Sequence, residues 1–414
     1  MSTSDSLHLA VALSDAGWHP AAWREAGARP AQLSTAGYWA DLAATAERGL
    51  LDLLTIEDGF GLQSHDHLAE PDRRTDQVRG RLDAHLVAAL LAPLTSRIGL
   101  VPTVTTTHTE PFHTANALAT LDHDSLGRAG WRVQVSVRAD EARHLGRRTL
   151  PGVRREHLDT PETVRLVAEL FDEAADAVEV ARRLWDSWED DAEIRDDATN
   201  RFVDRDKLHH VDFTGPQFSV RGPAITPRPP QGHPLVAVLA HREVPYRLAA
   251  RSADVVFVTP HDADGVRSVI GEVRAAEAAV GRGNADARSA GAPLGEPLRI
   301  LADLVVLLDQ TRAAAQERLA RLDARAPLRS DAAILATTPS DLADLLLEWQ
   351  QAGLDGFRLR PAVLPDDLET ITDALVPELQ RRGAFRTAYD ETTLRGRFGL
   401  SRPANRYVTA GSTA

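Results

Sequence analysis

The side chains of this sequence whose types and spacing suggest chemistry are paired histidines, adjacent carboxylates, a run of threonines and a few loop tryptophans. Ser64-His65-Asp66-His67 carries a His-x-His pair, and His209, His210 and Asp212 stand further along. Two imidazoles two residues apart in extended chain share a face and can chelate zinc. A hydrolytic metal site also needs histidines and a carboxylate at other strand ends. These histidines instead follow a predicted strand by several residues, in a loop, where solvated histidines are the commoner case. No metal site is expected. Glu57 and Asp58 end a predicted strand; as neighbours they point to opposite sides and are not a catalytic pair. Between Thr103 and Thr109 five threonines offer short hydrogen-bonding groups, with β-propensity and capping of a helix near Pro111 as the plain explanation. Trp18 and Trp23 lie in a loop where a ring more readily touches substrate. Trp185 and Trp188 have the spacing of helix packing. No side chain presents itself as a general base.

Composition removes several function classes. With 47 basic and 60 acidic residues the net charge is −13, which disfavours nucleic acid or an anionic membrane as partner. Lys207 is the sole lysine and sits in a polar stretch, with no apolar pocket to make it a Schiff-base nucleophile. The absence of cysteine excludes disulfides, thiolate nucleophiles and Cys-held zinc or iron–sulfur clusters. No Gly-x-Gly-x-x-Gly follows a strand, and there is neither a P-loop nor a Gly-x-Ser-x-Gly elbow. The longest apolar runs, such as Leu86 to Ala92, are far short of a bilayer span, and the N-terminus does not read as a signal peptide. A soluble, cytoplasmic protein is expected.

The elements that must position these residues alternate regularly. Strands are predicted at 7–13, 51–56, 98–103, 129–135, 234–239, 253–258, 299–307 and 356–359. Helices are predicted at 35–48, 81–91, 111–125, 160–188, 244–251, 262–280, 311–324, 340–352 and 366–382. Eight strands, each followed by a helix, argue for one (β/α)8 barrel over residues 1–414 rather than two domains. The polar, Pro/Gly-rich stretch at about 189–233 is a long insertion before strand five, expected to shape the pocket. A C-terminal extension at about 383–414 is expected to wrap the barrel or a neighbouring subunit. A barrel puts function at the C-terminal ends of its strands, which places Trp18, Asp58, Thr103, Ser136, His241 and Arg360 in one ring.

Three further stretches resemble a known family. Thr109-Glu110-Pro111-Phe112-His113, then Ala119-Thr120-Leu121-Asp122-His123, then Gly127-Arg128-Ala129-Gly130-Trp131 are similar to the luciferase-like flavin monooxygenases. The branch is that of the nitrilotriacetate, EDTA and dibenzothiophene-sulfone monooxygenases. Its usual wording is Asn-Glu-Pro-Tyr-His, Ser-Leu-Asp-His and Gly-Arg-Ala-Gly-Trp-Asn. Gly17-Trp18-His19-Pro20, Glu141-Ala142-Arg143, Leu184-Trp185-Asp186-Ser187-Trp188 and Arg221-Gly222-Pro223 extend the match in order. The resemblance implies the luciferase-like TIM barrel and a two-component monooxygenase of a small organic substrate. Such enzymes take reduced FMN from a separate NAD(P)H-dependent flavin reductase and use it with dioxygen. A homodimer or homotetramer is implied as well. By position, Asp58, Thr103 and Thr105 would border the flavin, and Trp18, His19 and Trp23 the substrate.

The departures from the family pattern concern the FMN phosphate. Family members hold it with a His and a Tyr four residues apart on the helix after strand four; here those positions are Val167 and Phe171. The Ala-Gly-Ser-Ser turn after strand five reads Leu239-Ala240-His241-Arg242, and the Asn after Gly-Trp is Arg132. A hydrogen bond to a charged group contributes about 1.5–3 kcal/mol, so uncompensated loss would weaken binding by orders of magnitude. Arginine is a bidentate phosphate ligand, so Arg242, with His241 or Arg132, is the expected replacement. Two alternatives stand beside this reading. One is a paralogue with a degenerate flavin site that serves as a non-catalytic binding or scaffold protein; the other is a deazaflavin-dependent oxidoreductase.

Overall fold

The computed structural model describes residues 6–64, 68, 73–283 and 295–408. Eight parallel strands close into a barrel: β1 His8–Leu13, β2 Leu53–Ile56, β3 Gly99–Thr105, β4 Gly130–Gln134, β5 Leu235–Leu239, β6 Val255–Val258, β7 Arg299–Leu308 and β8 Gly356–Pro361. Closure is made by β8 against β1, with Gly356 opposite His8, and by β6 against β7, with Arg299 opposite Val255. All eight predicted strands are present. A ninth, Ala333–Thr337, was not anticipated; it pairs with the C-terminal half of β7, Ala333 opposite Leu304. The reason is length. β7 has ten residues and β6 only four, so the ninth strand covers the edge that β6 leaves open.

The helices between strands are α1 Ala36–Arg48, α2 Ala84–Leu91, α3 Pro111–Asp124, α4 Ala139–Leu145, α5 Pro161–Asp186, α6 Glu243–Ser252, α7 Ala263–Ala279, α8 Arg312–Asp323 and α9 Pro339–Gln351. Most begin on a side-chain cap that the sequence signals. Thr35, Asp83, Thr160, Asp262, Thr311 and Thr338 each accept a backbone N–H from the first turn. A last helical stretch, Asp366 to Arg381, passes through one π turn at Ile371–Leu375. Among the described residues, no helix is long and apolar enough to cross a membrane.

Inward-facing residues alternate with outward ones along each strand. At the N-terminal end of the barrel they are apolar: Ala10, Leu53, Val101, Ala237 and Phe257. The C-terminal extension closes that end of its own barrel by inserting Leu394, Phe398 and Leu400 among them. The insertion before β5 has its own local structure, two short hairpins at Glu193–Asp196 with Arg201–Val203 and Phe213–Thr214 with Ser219–Val220. Because it joins α5 to β5, it departs from the N-terminal end of the barrel, opposite the strand ends that carry function.

Candidate functional site

Above the apolar floor the barrel interior turns charged. Thr55 and Glu57 follow Leu53 on the inner face of β2 and its end, Thr103 follows Val101 on β3, and Arg132 faces in from β4. Asp303 on β7 and Arg358 and Arg360 on β8 complete the layer. Arg358 donates from Nε to Asp303 Oδ1 at 2.7 Å and from Nη1 to Thr55 at 3.1 Å and Glu57 at 3.4 Å. Arg360 Nε donates to Asp303 Oδ2 at 2.9 Å, and its Nη1 to Asp331 at 2.6 Å. Arg132 Nη1 donates to Glu57 at 2.7 Å and to Thr103 at 2.9 Å. Three guanidinium groups thus meet three carboxylates in a continuous ladder. Burial pushes the Asp303 carboxyl up, but Arg358 and Arg360 together overcome it and hold it below the usual range. The signal for this ladder was visible as isolated charges in otherwise apolar strands, Asp303 within RILADLVVLL and Arg358 within GFRLRP. Sequence reasoning did not use it.

A cavity of about 620 Å³ sits on the ladder at the C-terminal ends of the strands. Trp18, Asp58, Arg132 and His241 line it, as do Glu57, Arg360, Phe171 and Leu248. The expected flavin-side residues Thr103 and Thr105 open instead on an adjoining pocket of 330 Å³, which shares Asp58 and Gly59 with the main cavity. The insertion does not line the main cavity; Gln217 and Phe218 reach only an outer cleft. The loops after β2 and β4 do the shaping expected of it, for the topological reason above.

The individual residues are placed as follows. Asp58 accepts the backbone N–H groups of Gly59 at 2.7 Å and Ala84 at 2.8 Å, so it fastens the β2 loop to the start of α2. Burial raises its carboxyl pKa against those two bonds. The Thr103 oxygen already accepts from Arg132, whereas the buried Thr105 Oγ1 has no partner. His241 bonds Thr259 at 2.9 Å and faces Asp331 at 3.3 Å; burial lowers its pKa against the pull of that carboxylate. Arg242 is exposed immediately before α6, outside the residues that line the cavity, and among the described residues its side chain has no ion pair or hydrogen bond. Arg132 is buried and committed to Glu57 and Thr103. Phe171 faces the cavity one helical turn after Val167 on α5.

On the opposite side a lobe of 180 Å³ is lined by Trp18, His19 and Trp23. Trp18 donates its indole N–H to the Ala12 carbonyl at 2.9 Å and carries the Arg360 guanidinium 4.5 Å over its ring. Trp23 donates to the Asp76 carbonyl. His19 is occupied at both nitrogens: Nδ1 accepts from Ala21 N–H, which leaves Nε2 to donate to Asp323 at 3.1 Å. His65, Asp66 and His67 lie outside the described residues. His209 bonds Glu189 and His210 the Gly222 carbonyl, and no cluster among the described residues suits a metal ion.

A model of the luciferase-like monooxygenase family matches residues 17–340. The N-acetyl-S-(2-succino)cysteine monooxygenase of Bacillus subtilis (strain 168) is 32% identical, aligned over 98% of this chain and 99% of that protein. Nitrilotriacetate monooxygenase component A of Aminobacter aminovorans is 29% identical over 98% and 99% of the two chains. The dibenzothiophene-sulfone monooxygenase of Rhodococcus erythropolis is also 29% identical, over 92% and 93%. Among solved structures, EDTA monooxygenase from Chelativorans sp. BNC1 superposes with a TM-score of 0.80 at 23% identity, over 96% of this chain and 99% of that one, which speaks for the shared fold. With the family model spanning most of its length and full-length relatives at this identity, the chain belongs to the luciferase-like monooxygenase family, in the branch of the nitrilotriacetate and dibenzothiophene-sulfone monooxygenases.

Proposed function

We propose that the chain is the oxygenating component of a two-component system. It takes reduced FMN from a separate NAD(P)H-dependent flavin reductase and uses it with dioxygen to oxygenate a small organic substrate. The observation that carries this reading is the 620 Å³ cavity at the C-terminal mouth of a barrel whose sequence matches the family model. Its residues suit the cofactor. Buried Thr105 Oγ1 has a free hydrogen-bonding position, Gly59 lines both pockets, and Arg242, whose side chain is unpaired, directly follows the cavity-lining His241. When bound, reduced FMN supplies the two electrons that activate dioxygen.

The chain's own residues have three tasks. Asp58 borders the isoalloxazine, which reaches Thr103 and Thr105 where the adjoining pocket meets the cavity at Asp58 and Gly59, and Arg242 with His241 holds the phosphate. The charged ladder beneath is already paired, so it provides a rigid polar floor without a stray charge. Trp18 and Trp23 border the substrate, with His19 fixed behind them. Phe171 and Leu248 exclude water from the side where other family members place neutral phosphate donors. Arg242→Ala is expected to weaken FMN binding by about 10- to 100-fold while leaving riboflavin binding unchanged. Flavin fluorescence titrations of both proteins with both ligands decide it; equal FMN affinity in the variant would remove Arg242 from the site.

The same reading includes a cytoplasmic homodimer or homotetramer. Leu82, Leu86, Leu90 and Leu94 recur every four residues along α2 and its flanks, and Leu86 is 68% exposed. A single helix face with this many bare leucines matches a subunit interface better than a solvated surface. Leu86→Glu combined with Leu90→Glu should shift the protein toward monomer in sedimentation velocity, without loss of helical content. An unchanged mass would place the interface elsewhere.

A further inference from the structure

The corner where the loop after β3 meets α4 holds two buried polar atoms without partners. His108 Nε2 and Glu141 Oε2 face each other at 3.9 Å, and neither has a hydrogen bond. Buried polar groups are nearly always paired, because a bare one costs about 1–3 kcal/mol. A movement of about 1 Å would turn this contact into a charge-assisted hydrogen bond of ~2.8 Å. The two residues stand in different walls. Glu141 lines the main cavity, whereas His108 lines the outer cleft of 210 Å³ with Thr107, Thr109 and Arg148. Together they form the partition between the two spaces. Phe60 packs edge-on against the imidazole at 6.2 Å.

We propose that His108 and Glu141 carry a proton from the outer cleft to the main cavity, with Glu141 as the group that delivers it. The proposal rests on the monooxygenase reading, whose balance requires proton uptake. With reduced flavin as its anion and S as substrate, the reaction is FMNH⁻ + O2 + S + H⁺ → FMN + SO + H2O. Without substrate it is FMNH⁻ + O2 + H⁺ → FMN + H2O2. In both, two electrons leave the flavin, dioxygen is reduced, and one proton enters from outside. His108 takes up a proton on its cleft side and releases the Nε2 proton to the Glu141 carboxylate, which passes it into the cavity. The neighbouring charges are few. Arg138 Nε donates to Asp140 Oδ1 at 3.0 Å and lies 3.7 Å from Glu141 Oε1, both carboxylates on α4. Arg148, after α4, is held by Glu173 of α5 at 2.8 Å, and Arg147 pairs with Glu110 ahead of α3. Burial lowers the His108 pKa, and Glu141 partly restores it.

Two measurements test the relay. In the flavin-free protein, NMR titration of the His108 ring should show its midpoint moving down in Glu141→Gln, because the carboxylate that raises it is gone. In stopped flow, reoxidation of bound reduced FMN by dioxygen should slow as pH rises in the wild type. His108→Asn and Glu141→Gln should lower that rate by about 10²-fold and flatten its pH profile, with FMN affinity retained. His108→Gln replaces His108→Asn if the latter melts early. An unmoved His108 midpoint, or an unchanged pH profile in variants that bind reduced FMN, overturns the relay alone. Failure of the wild type to bind reduced FMN overturns the monooxygenase reading and the relay with it.

Discussion

Asp303→Ala is expected to destabilise the protein by about 3–5 kcal/mol, the cost of leaving a buried charge without its partner. Asp303 has no exposure to solvent and is the shared acceptor of two guanidinium groups that are themselves buried. Its removal leaves Arg358 with Thr55, the longer contact to Glu57 and the Phe257 ring, and Arg360 with Asp331 and the Trp18 ring. Denaturant unfolding of the two proteins measures the difference. Loss of the carboxylate together with both arginines, in Asp303→Leu, Arg358→Met, Arg360→Met, should cost less than the single change, because no buried guanidinium is left without its carboxylate, and Asp331, the one carboxylate that loses an arginine, is 36% exposed and still faces His241. A triple variant less stable than Asp303→Ala would mean the ladder contributes net stability rather than mutual cancellation. The pH dependence has a definite sign. Against burial, Asp303 is held below the usual carboxylate range by Arg358 and Arg360, and Asp331 by Arg360 and His241. Their stabilisation is therefore present above the unfolded carboxylate pKa and is lost as pH falls through the folded values.

Phe398→Ala is the second large effect, expected at about 3–5 kcal/mol. Phe398 is 1% exposed, plugs the N-terminal end of the barrel beside Leu394 and Leu400, and stacks on His8 with ring centroids 4.4 Å apart. Alanine there leaves a void that the closed ring of strands cannot collapse around. Thermal unfolding should show a drop of several degrees, and FMN binding, at the far end of the barrel, should persist below the transition. A variant that melts like the wild type would show the C-terminal extension to be a cover rather than a plug.

The barrel was legible because its signals are local and repeated. Leu53-Leu54-Thr55-Ile56 and Val255-Val256-Phe257-Val258 are short β-favouring runs, and Thr160-Pro161 and Thr338-Pro339 mark helix starts by their capping chemistry. What was not legible depends on relations between distant elements. Ala333–Thr337 is a strand only because β7 outruns β6, which no local pattern records. The insertion, read as a pocket wall, leaves from the wrong end of the barrel to be one. At the site, Asp58, Arg132 and His241 do share one cavity, yet Thr103 and Thr105 face its neighbour. His19 is a paired, buried ring, and the position of Arg132 gave no hint that Glu57 and Thr103 would engage it. The pairing of Asp303 with Arg358 and Arg360 is a cross-strand fact, though a lone charge in an apolar strand was a clue to it.

The proposed function requires this cavity to bind reduced FMN and to recognise its phosphate. Anaerobic titration of the wild-type protein with reduced FMN, and in parallel with reduced riboflavin, tests it most directly. The expected result is saturable FMN binding that exceeds riboflavin binding by about 10-fold or more, the worth of one charged hydrogen bond or more. Binding of neither flavin in the reduced state would contradict it, and would leave the family relationship as one of fold.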